Sequence, residues 1–235
     1  MALWKLRRAS YLKTMMSGVG MGRDEIKLEI EQRILDGHFL PGEKLNERDL
    51  AAEFGVSRTP IRDVLRCLEA EGLVEHFARR GVYIRRSSLT YVLSLLELLA
   101  VLESSCARLA ARSGHADDKE LLTIKAKLTV DAAEAGAKEY TSSNKDFHET
   151  IYRMATNDEL VNMVYRVRRK VSPYRKHIHR VAGMTAMSAR EHLAIAKAIA
   201  ERDDSLASEL MFHHLDMQRP EFMPFVSILS KTLDR

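Results

Sequence analysis

The stretch Gly55-Val56-Ser57-Arg58-Thr59-Pro60-Ile61-Arg62-Asp63-Val64-Leu65-Arg66-Cys67-Leu68-Glu69-Ala70-Glu71 decides how this chain is read. Ser57 is a good N-cap, and the segment after it predicts a helix running to about Glu71. Ile61, Val64, Leu65 and Leu68 recur at helical spacing and form one apolar face, suited to packing on a core. Arg58 and Arg62 lie one turn apart on the opposite face, near the N-terminus. Working outward, Gly55 ends a shorter helix that Asn46 can cap and that runs through Phe54, and Pro41-Gly42 makes a turn before it. Further upstream Ile26, Ile30 and Ile34 repeat every four residues between Asp24 and Asp36, one face of another helix, with Gly37 as its stop. Downstream, Leu73 to Phe77 and Val82 to Arg86 predict two short strands, and Ala78 to Gly81 a hairpin turn between them.

Two helices joined by a tight turn and followed by a basic hairpin, with Arg79, Arg80, Arg85 and Arg86, have the order of a winged helix-turn-helix. In such a module the second helix enters the major groove. Arg58 and Arg62 could then grip guanine O6/N7 in bidentate fashion or hold phosphate, while Ser57 and Thr59 offer short hydroxyl donors. Taken singly, each of these charges reads as a solvated helix surface. Their combination points to double-stranded operator DNA.

After Ser87-Ser88 the pattern becomes helical throughout, with expected helices near 90–113, 117–135, 138–156, 158–180, 186–202 and 204–218. The expected fold is mainly α: an N-terminal winged helix-turn-helix with a small β-hairpin over 24–87, and a C-terminal all-α helical bundle over 90–235. Residues 1–23 form a basic leader with Lys5, Arg7, Arg8, Lys13 and Arg23 and no acid; no role is assigned to it. Gly18, Gly20 and Gly22 lack the preceding strand that a dinucleotide loop needs.

Composition narrows the classes without choosing among them. At 235 residues, 46% hydrophobic and 30% charged, the chain has the length for two domains and the make-up of a globular protein rather than a disordered one. A net charge of +4 permits a nucleic-acid partner but does not require one. Cys67 and Cys106 form no C-x-x-C pair, so neither a disulfide framework nor a thiolate zinc site is indicated, and a cytoplasmic location is expected. No apolar run reaches the ~20 residues of a membrane span, since Tyr91 to Leu102 is broken by Glu97.

The segments Pro41-Gly42-Glu43-Lys44-Leu45, Leu50-Ala51, Gly55 to Arg62 and Glu71-Gly72-Leu73-Val74 closely resemble the reading head of the GntR family of bacterial transcription regulators, FadR-like branch. The resemblance implies DNA contacts from Arg48, Ser57, Arg58, Thr59 and Arg62, with Gly81 as a wing tip approaching the minor groove. Arg48 precedes the turn, so phosphate is its expected target.

Three histidines of the second domain fall on apolar helix faces. His148 lies one turn after Asn144 among Phe147, Ile151 and Ala155; His192 continues with Ile195, Ala196 and Ile199; His214 follows Ala207, Leu210 and Met211, while His213 faces elsewhere. Each could be an ordinary core histidine bonded to a carbonyl. Three from separate helices make a shared metal ion the stronger reading. The resemblance sharpens it, because FadR-like C-terminal domains often hold a divalent metal by one Asp or Asn and three His. That implies a site of Asn144, His148, His192 and His214, with zinc the default and nickel or manganese the other candidates.

Leu99 stands four residues before Glu103, where the family frequently has Arg, so effector contacts are not carried over at that position. The acid-free segment with Arg166, Arg168, Arg169, Lys170, Arg175, Lys176 and Arg180 reads either as a solvated or dimer-facing surface or as a pocket for an anion. The expected function is a homodimeric regulator whose DNA affinity responds to a small effector, an organic acid held near the metal. It is not read as an enzyme: H-E-x-x-H, G-x-S-x-G and Walker patterns are absent. The rivals are a metal-dependent hydrolase using the histidines, and a DNA-binding dimer with no effector.

Overall fold

A computed structural model describes residues 21–35, 38–175, 178 and 181–233. The leader up to residue 20, the Gly37 stop, and Lys176 and Arg180 of the basic segment lie outside the described residues. The chain divides into two compact units, Met1–Ser87 and Ser88–Arg235.

In the first unit α1 (Arg23–Leu35), α2 (Glu47–Phe54) and α3 (Arg58–Ala70) are accompanied by β1 (Lys44–Leu45), β2 (Val74–Phe77) and β3 (Gly81–Ile84). The apolar spacing seen in the sequence is what packs them. Ile26, Ile30 and Ile34 of α1 meet Ile61, Val64, Leu65 and Leu68 of α3 in one core with Leu50, Phe54, Val74, Val82 and Ile84. The α2 N-terminus is closed by Asn46, whose side chain accepts a hydrogen bond from the Arg48 amide at 3.0 Å. Its C-terminus ends at Gly55, with φ +65, a left-handed conformation that glycine adopts without a Cβ clash. Ser57 occupies the N-cap position of α3, but its hydroxyl makes no capping bond there.

The wing differs from the expected hairpin in three ways. Its second strand spans Gly81–Ile84 rather than 82–86, and the first begins at Val74. A third strand, Lys44–Leu45, pairs antiparallel with β3 through Lys44 opposite Tyr83 and Leu45 opposite Val82, giving the order β1-β3-β2. Two residues are too few to show an alternating pattern, so only the pairing reveals this strand. Finally, Gly81 is not the tip. It pairs with Phe77, and the exposed turn above it carries Arg79, at φ +64, and Arg80.

The second unit is a helical bundle: α4 (Leu89–Ser113), α5 (Ala116–Ala135), α6 (Ala137–Met154), α7 (Asp158–Arg175), α8 (Met184–Ala200), α9 (Asp204–Leu215), a 3-10 turn Pro220–Phe222, and α10 (Met223–Leu233). The central helix α4 touches α6, α7, α8 and α9, and α5 packs on α6 and α8. By length and composition α4 could cross a membrane, with a mean hydropathy of 1.5 over its best window. Its apolar side chains instead serve a core: Val92, Leu96, Leu99, Ala107 and Ala110 are buried against the neighbouring helices, alongside the charged Glu103.

Expected and observed helices differ mainly at their ends. The helix expected over 204–218 stops at Leu215, because Asp216 turns extended and its carboxylate accepts the Gln218 amide. The final helix, Met223–Leu233, was not anticipated; Phe225 and Leu229, four apart and fully buried, are the signal that marks it.

Replacing Asn46 by Ala removes the α2 cap and is expected to cost about 1 kcal/mol, with Asn46→Asp restoring most of it. Urea unfolding of the full chain, followed by circular dichroism, checks this; an unchanged midpoint for Asn46→Ala would show that the cap contributes nothing.

Candidate nucleic-acid interface and candidate metal centre

Helix α3 has the two faces that its sequence predicted. Ile61, Val64, Leu65 and Leu68 are buried, while Ser57, Arg58, Thr59 and Arg62 are exposed, as is Arg48 on α2. Arg58 and Arg62 converge on one carboxylate: Glu47 Oε2 accepts from Arg58 Nη2 at 3.1 Å and from Arg62 Nε at 2.8 Å. Glu47 is a residue that sequence reasoning passed over. Partial burial works to raise its pKa, but the hydrogen bonds from Arg62 and Arg58 outweigh this and hold it below the usual carboxylate range. Arg66, one turn beyond Arg62 and exposed, was also passed over, although the spacing 58, 62, 66 places all three on one face. A cleft of about 360 Å³ beside them is lined by Glu47, Arg62, Leu65, Arg66, Glu69, His76 and Val82.

In the second unit His148, His192 and His214 come together in the core, with one ring nitrogen of each lying within 4.8 Å of the others. Each ring arrives from a different helix, α6, α8 and α9. Their outer nitrogens are all engaged: His148 Nδ1 with Glu103 Oε2 at 2.7 Å, His192 Nδ1 with Thr129 Oγ1 at 3.2 Å, and His214 Nδ1 with Glu191 Oε2 at 2.7 Å. The carboxylates can only accept, and the Thr129 hydroxyl already donates to Ala126 O at 2.7 Å. Each Nδ1 therefore carries a proton, and a neutral ring of this set offers its Nε2 as a lone pair.

The Nε2 atoms of His192 and His214 face one another at 3.3 Å, and His148 Nε2 is buried with no hydrogen-bond partner among the described residues. Such an arrangement is costly unless a cation lies among them. The donor set thus fits a divalent metal. Burial drives His148 down to about 4 despite the opposing pull of Glu103, and burial beside the other two rings drives His192 well below its ordinary value. Both rings are neutral, the form a metal needs.

The outer partners are themselves anchored. Glu103 is fully buried, and although burial opposes its charge, Arg168 and His148 hold it well below the usual carboxylate range. Arg168 Nη1 reaches Glu103 Oε1 at 3.3 Å and also bonds the Tyr152 hydroxyl. Glu191 receives Arg219 Nη1 at 2.8 Å on its other oxygen. Thr129 was not singled out from the sequence, because a threonine on a helix gives no periodic signal of its own.

Asn144, one turn before His148, has its Oδ1 3.4 Å from the Tyr140 hydroxyl, which lies closer to Ser188 Oγ, at 2.5 Å. The basic segment does not form a uniform surface. Arg166 is exposed, whereas Arg168 and Arg175, two turns apart, direct their guanidinium groups inward, and Arg175 Nη1 is buried with no hydrogen-bond partner among the described residues.

A three-helix reading head with a wing, followed by an α-bundle with a polar centre, defines the class of winged-helix transcription regulators with a C-terminal sensing domain. Residues 23–84 match the gntR family of bacterial regulatory proteins and residues 94–217 match the FCD domain. The chain belongs to the GntR family, in its FadR-like branch with an FCD domain. It is 29% identical over 192 residues to the Nta operon transcriptional regulator of Aminobacter aminovorans, covering 80% of this chain and 89% of that one. To the Uxu operon regulator of Haemophilus influenzae it is 30% identical over 206 residues, covering 80% and 76%. Among solved structures, E. coli McbR/YncC superposes with a TM-score of 0.71 over 89% of this chain and 97% of that chain at 16% identity, a likeness of fold. DNA binding and transcriptional regulation follow for this chain from its family.

Arg58→Ala and Arg62→Ala are each expected to lower operator affinity by about 1–3 kcal/mol while leaving the protein folded, since neither side chain enters the core. Mobility-shift titration at fixed salt against operator and scrambled duplexes measures this, and undiminished operator preference in both variants would refute the assignment.

The neutral rings also imply an acid sensitivity of metal-stripped protein. Unfolded histidines take up protons near pH 6.5, whereas buried His148 resists protonation down to about 4, so stability is full above 6.5 and falls as pH drops through that window. Between pH 6.5 and 4.5, before most carboxylates titrate, the loss should be on the order of 2 to 3 kcal/mol. Chemical denaturation of chelator-treated protein across that range checks it; a flat profile would mean that the rings are not buried neutral.

Proposed function

We propose that the protein is a homodimeric, effector-responsive regulator whose C-terminal domain holds a divalent metal through His148, His192 and His214, with Asn144 as a fourth ligand, and binds a small organic acid there. The observation that carries this reading is the set of three Nδ1 atoms, each with its own partner, which leaves three Nε2 atoms directed into one buried place. Zinc is the first candidate for an imidazole-rich set, with nickel and manganese next. When bound, the metal would supply positive charge and open coordination positions for effector oxygens. The chain's own groups add to this: Arg168 and Arg175 bring cations to the interior beside Glu103, which suits an anionic ligand.

Operator reading is assigned to Arg48, Ser57, Arg58, Thr59 and Arg62, all exposed, with the wing arginines Arg79 and Arg80 taking the minor-groove role that the resemblance gave to Gly81. Homodimerisation is supported by the limited contact area of one small head, which pairing doubles over a palindromic site. It is also supported by Leu98 and Val101, one turn apart on α4 and about half exposed. The protein acts in the cytoplasm and is not an enzyme; the relatives named above are regulators, which disfavours the hydrolase reading of the histidines.

Elemental analysis of gently purified protein is expected to give about one metal per chain, a content abolished in the double variant His148→Ala with His192→Ala. That variant should also lose thermal stability, by about 3 kcal/mol when free metal exceeds Kd a hundredfold. Isothermal titration with organic acids should show binding to the metal-loaded wild type alone, and light scattering should give twice the 26.8 kDa chain mass. A wild type that takes up no zinc, nickel or manganese would sink the metal site. A metal-loaded dimer that binds no acid would favour the effector-free reading.

A further inference from the structure

We propose that Glu47 is a specificity-determining residue of the reading head, clasping Arg58 and Arg62 so that they answer to base edges rather than to any phosphate. Glu47 opens α2, one element before the helix that carries the arginines, and sits beneath them: its side chain is 22% exposed, those of Arg58 and Arg62 59% and 53%. A single oxygen receives both guanidinium groups. That contact has two physical consequences.

The first is charge. Random DNA is held by counting neutralised phosphates, and each cation committed to a phosphate steepens the salt dependence of binding. With Glu47 between them the two arginines present one net positive charge instead of two. A phosphate that recruits either arginine must draw it away from a carboxylate, while the exposed ends remain free to donate to the neutral O6 and N7 of guanine. The clasp thus weakens binding to random DNA more than binding to operator.

The second is direction. Arg62 spends its Nε on Glu47 and Arg58 one of its Nη atoms, which leaves the remaining N–H groups of both forks pointing away from the same fixed point. Two long, flexible side chains become one ordered unit on the outer face of α3. The adjoining cleft, lined by Glu47, Arg62 and Arg66, gives Arg62 room to shift when a base takes its place in the groove.

This inference rests on Arg58 and Arg62 being the base-reading residues, and the experiment keeps the two ideas apart. An operator is first selected with wild-type protein from a random duplex pool. Full-length wild type, Glu47→Gln, Arg58→Ala/Arg62→Ala and the triple variant are then titrated by fluorescence anisotropy against that operator and a scrambled duplex, over a series of salt concentrations. Gln keeps the size of Glu and removes its charge. For Glu47→Gln the scrambled duplex should bind more tightly, with a log–log salt slope steeper by about 1 to 2, and the operator-to-scrambled ratio should fall on the order of tenfold. In the background lacking both arginines the same substitution should leave the slope unchanged.

Loss of affinity for both duplexes by one factor with an unaltered slope would show a merely structural role and overturn the proposal. So would an equal change of slope in the background lacking the arginines. If the arginine variant itself retains operator preference, it is the base-reading assignment that fails.

Discussion

A buried imidazole has two nitrogens and can satisfy both only if the surrounding helices bring partners to each. The C-terminal bundle meets it three times over at the outer nitrogen, Nδ1, and turns the three inner Nε2 atoms toward one buried place. His148, His192 and His214 come from α6, α8 and α9, and their outer partners Glu103 and Thr129 come from α4 and α5. Arg168 of α7 then balances Glu103. Six of the helices thus meet at one polar centre inside an otherwise apolar core. Removing any outer partner would free a ring to turn, and the three lone pairs would no longer share a direction.

The reading head solves a different problem with the same economy of elements. Helix α3 must both fill a core and present cations to solvent, so its two faces are separated by the helical period. The apolar face is anchored by α1 and the sheet, and ion pairs tie the ends together: Lys27 of α1 reaches Glu71 at the end of α3 at 2.6 Å, and Arg33 reaches Glu53 of α2 at 2.6 Å. These pairs are partly exposed and worth little individually. They join α1 to α3 and α1 to α2, and Glu47 of α2 lies under Arg58 and Arg62.

Charge is distributed unevenly between surface and interior in the two units. On the head Arg58 and Arg62 remain more than half exposed, where salt and water screen them and a polyanion can reach them. In the bundle Arg168 and Arg175 are drawn inward beside a carboxylate and tyrosine hydroxyls. A run of cations that looks uniform along the chain therefore serves two environments, because two turns of helix return Arg168 and Arg175 to the same face while Arg166 falls on an exposed one.

The sequence by itself determined the parts governed by local periodicity and chain neighbours. The helix over Arg58–Ala70, its apolar face, the Asn46 cap, the Gly55 stop and the helical character of everything after Ser88 all follow from spacings of three and four residues. The inward set of His148, His192 and His214 was legible for the same reason, since each sits among apolar neighbours at helical intervals. What depends on residues far apart in the chain was decided only by the tertiary structure. The two-residue strand Lys44–Leu45 exists only through its pairing with β3, nearly forty positions away. The Glu47 clasp spans eleven and fifteen residues, and Glu103 lies forty-five from His148. The inward turn of Arg168 depends on where α4 crosses α7. Periodicity says which face a side chain occupies; packing alone says what stands opposite it.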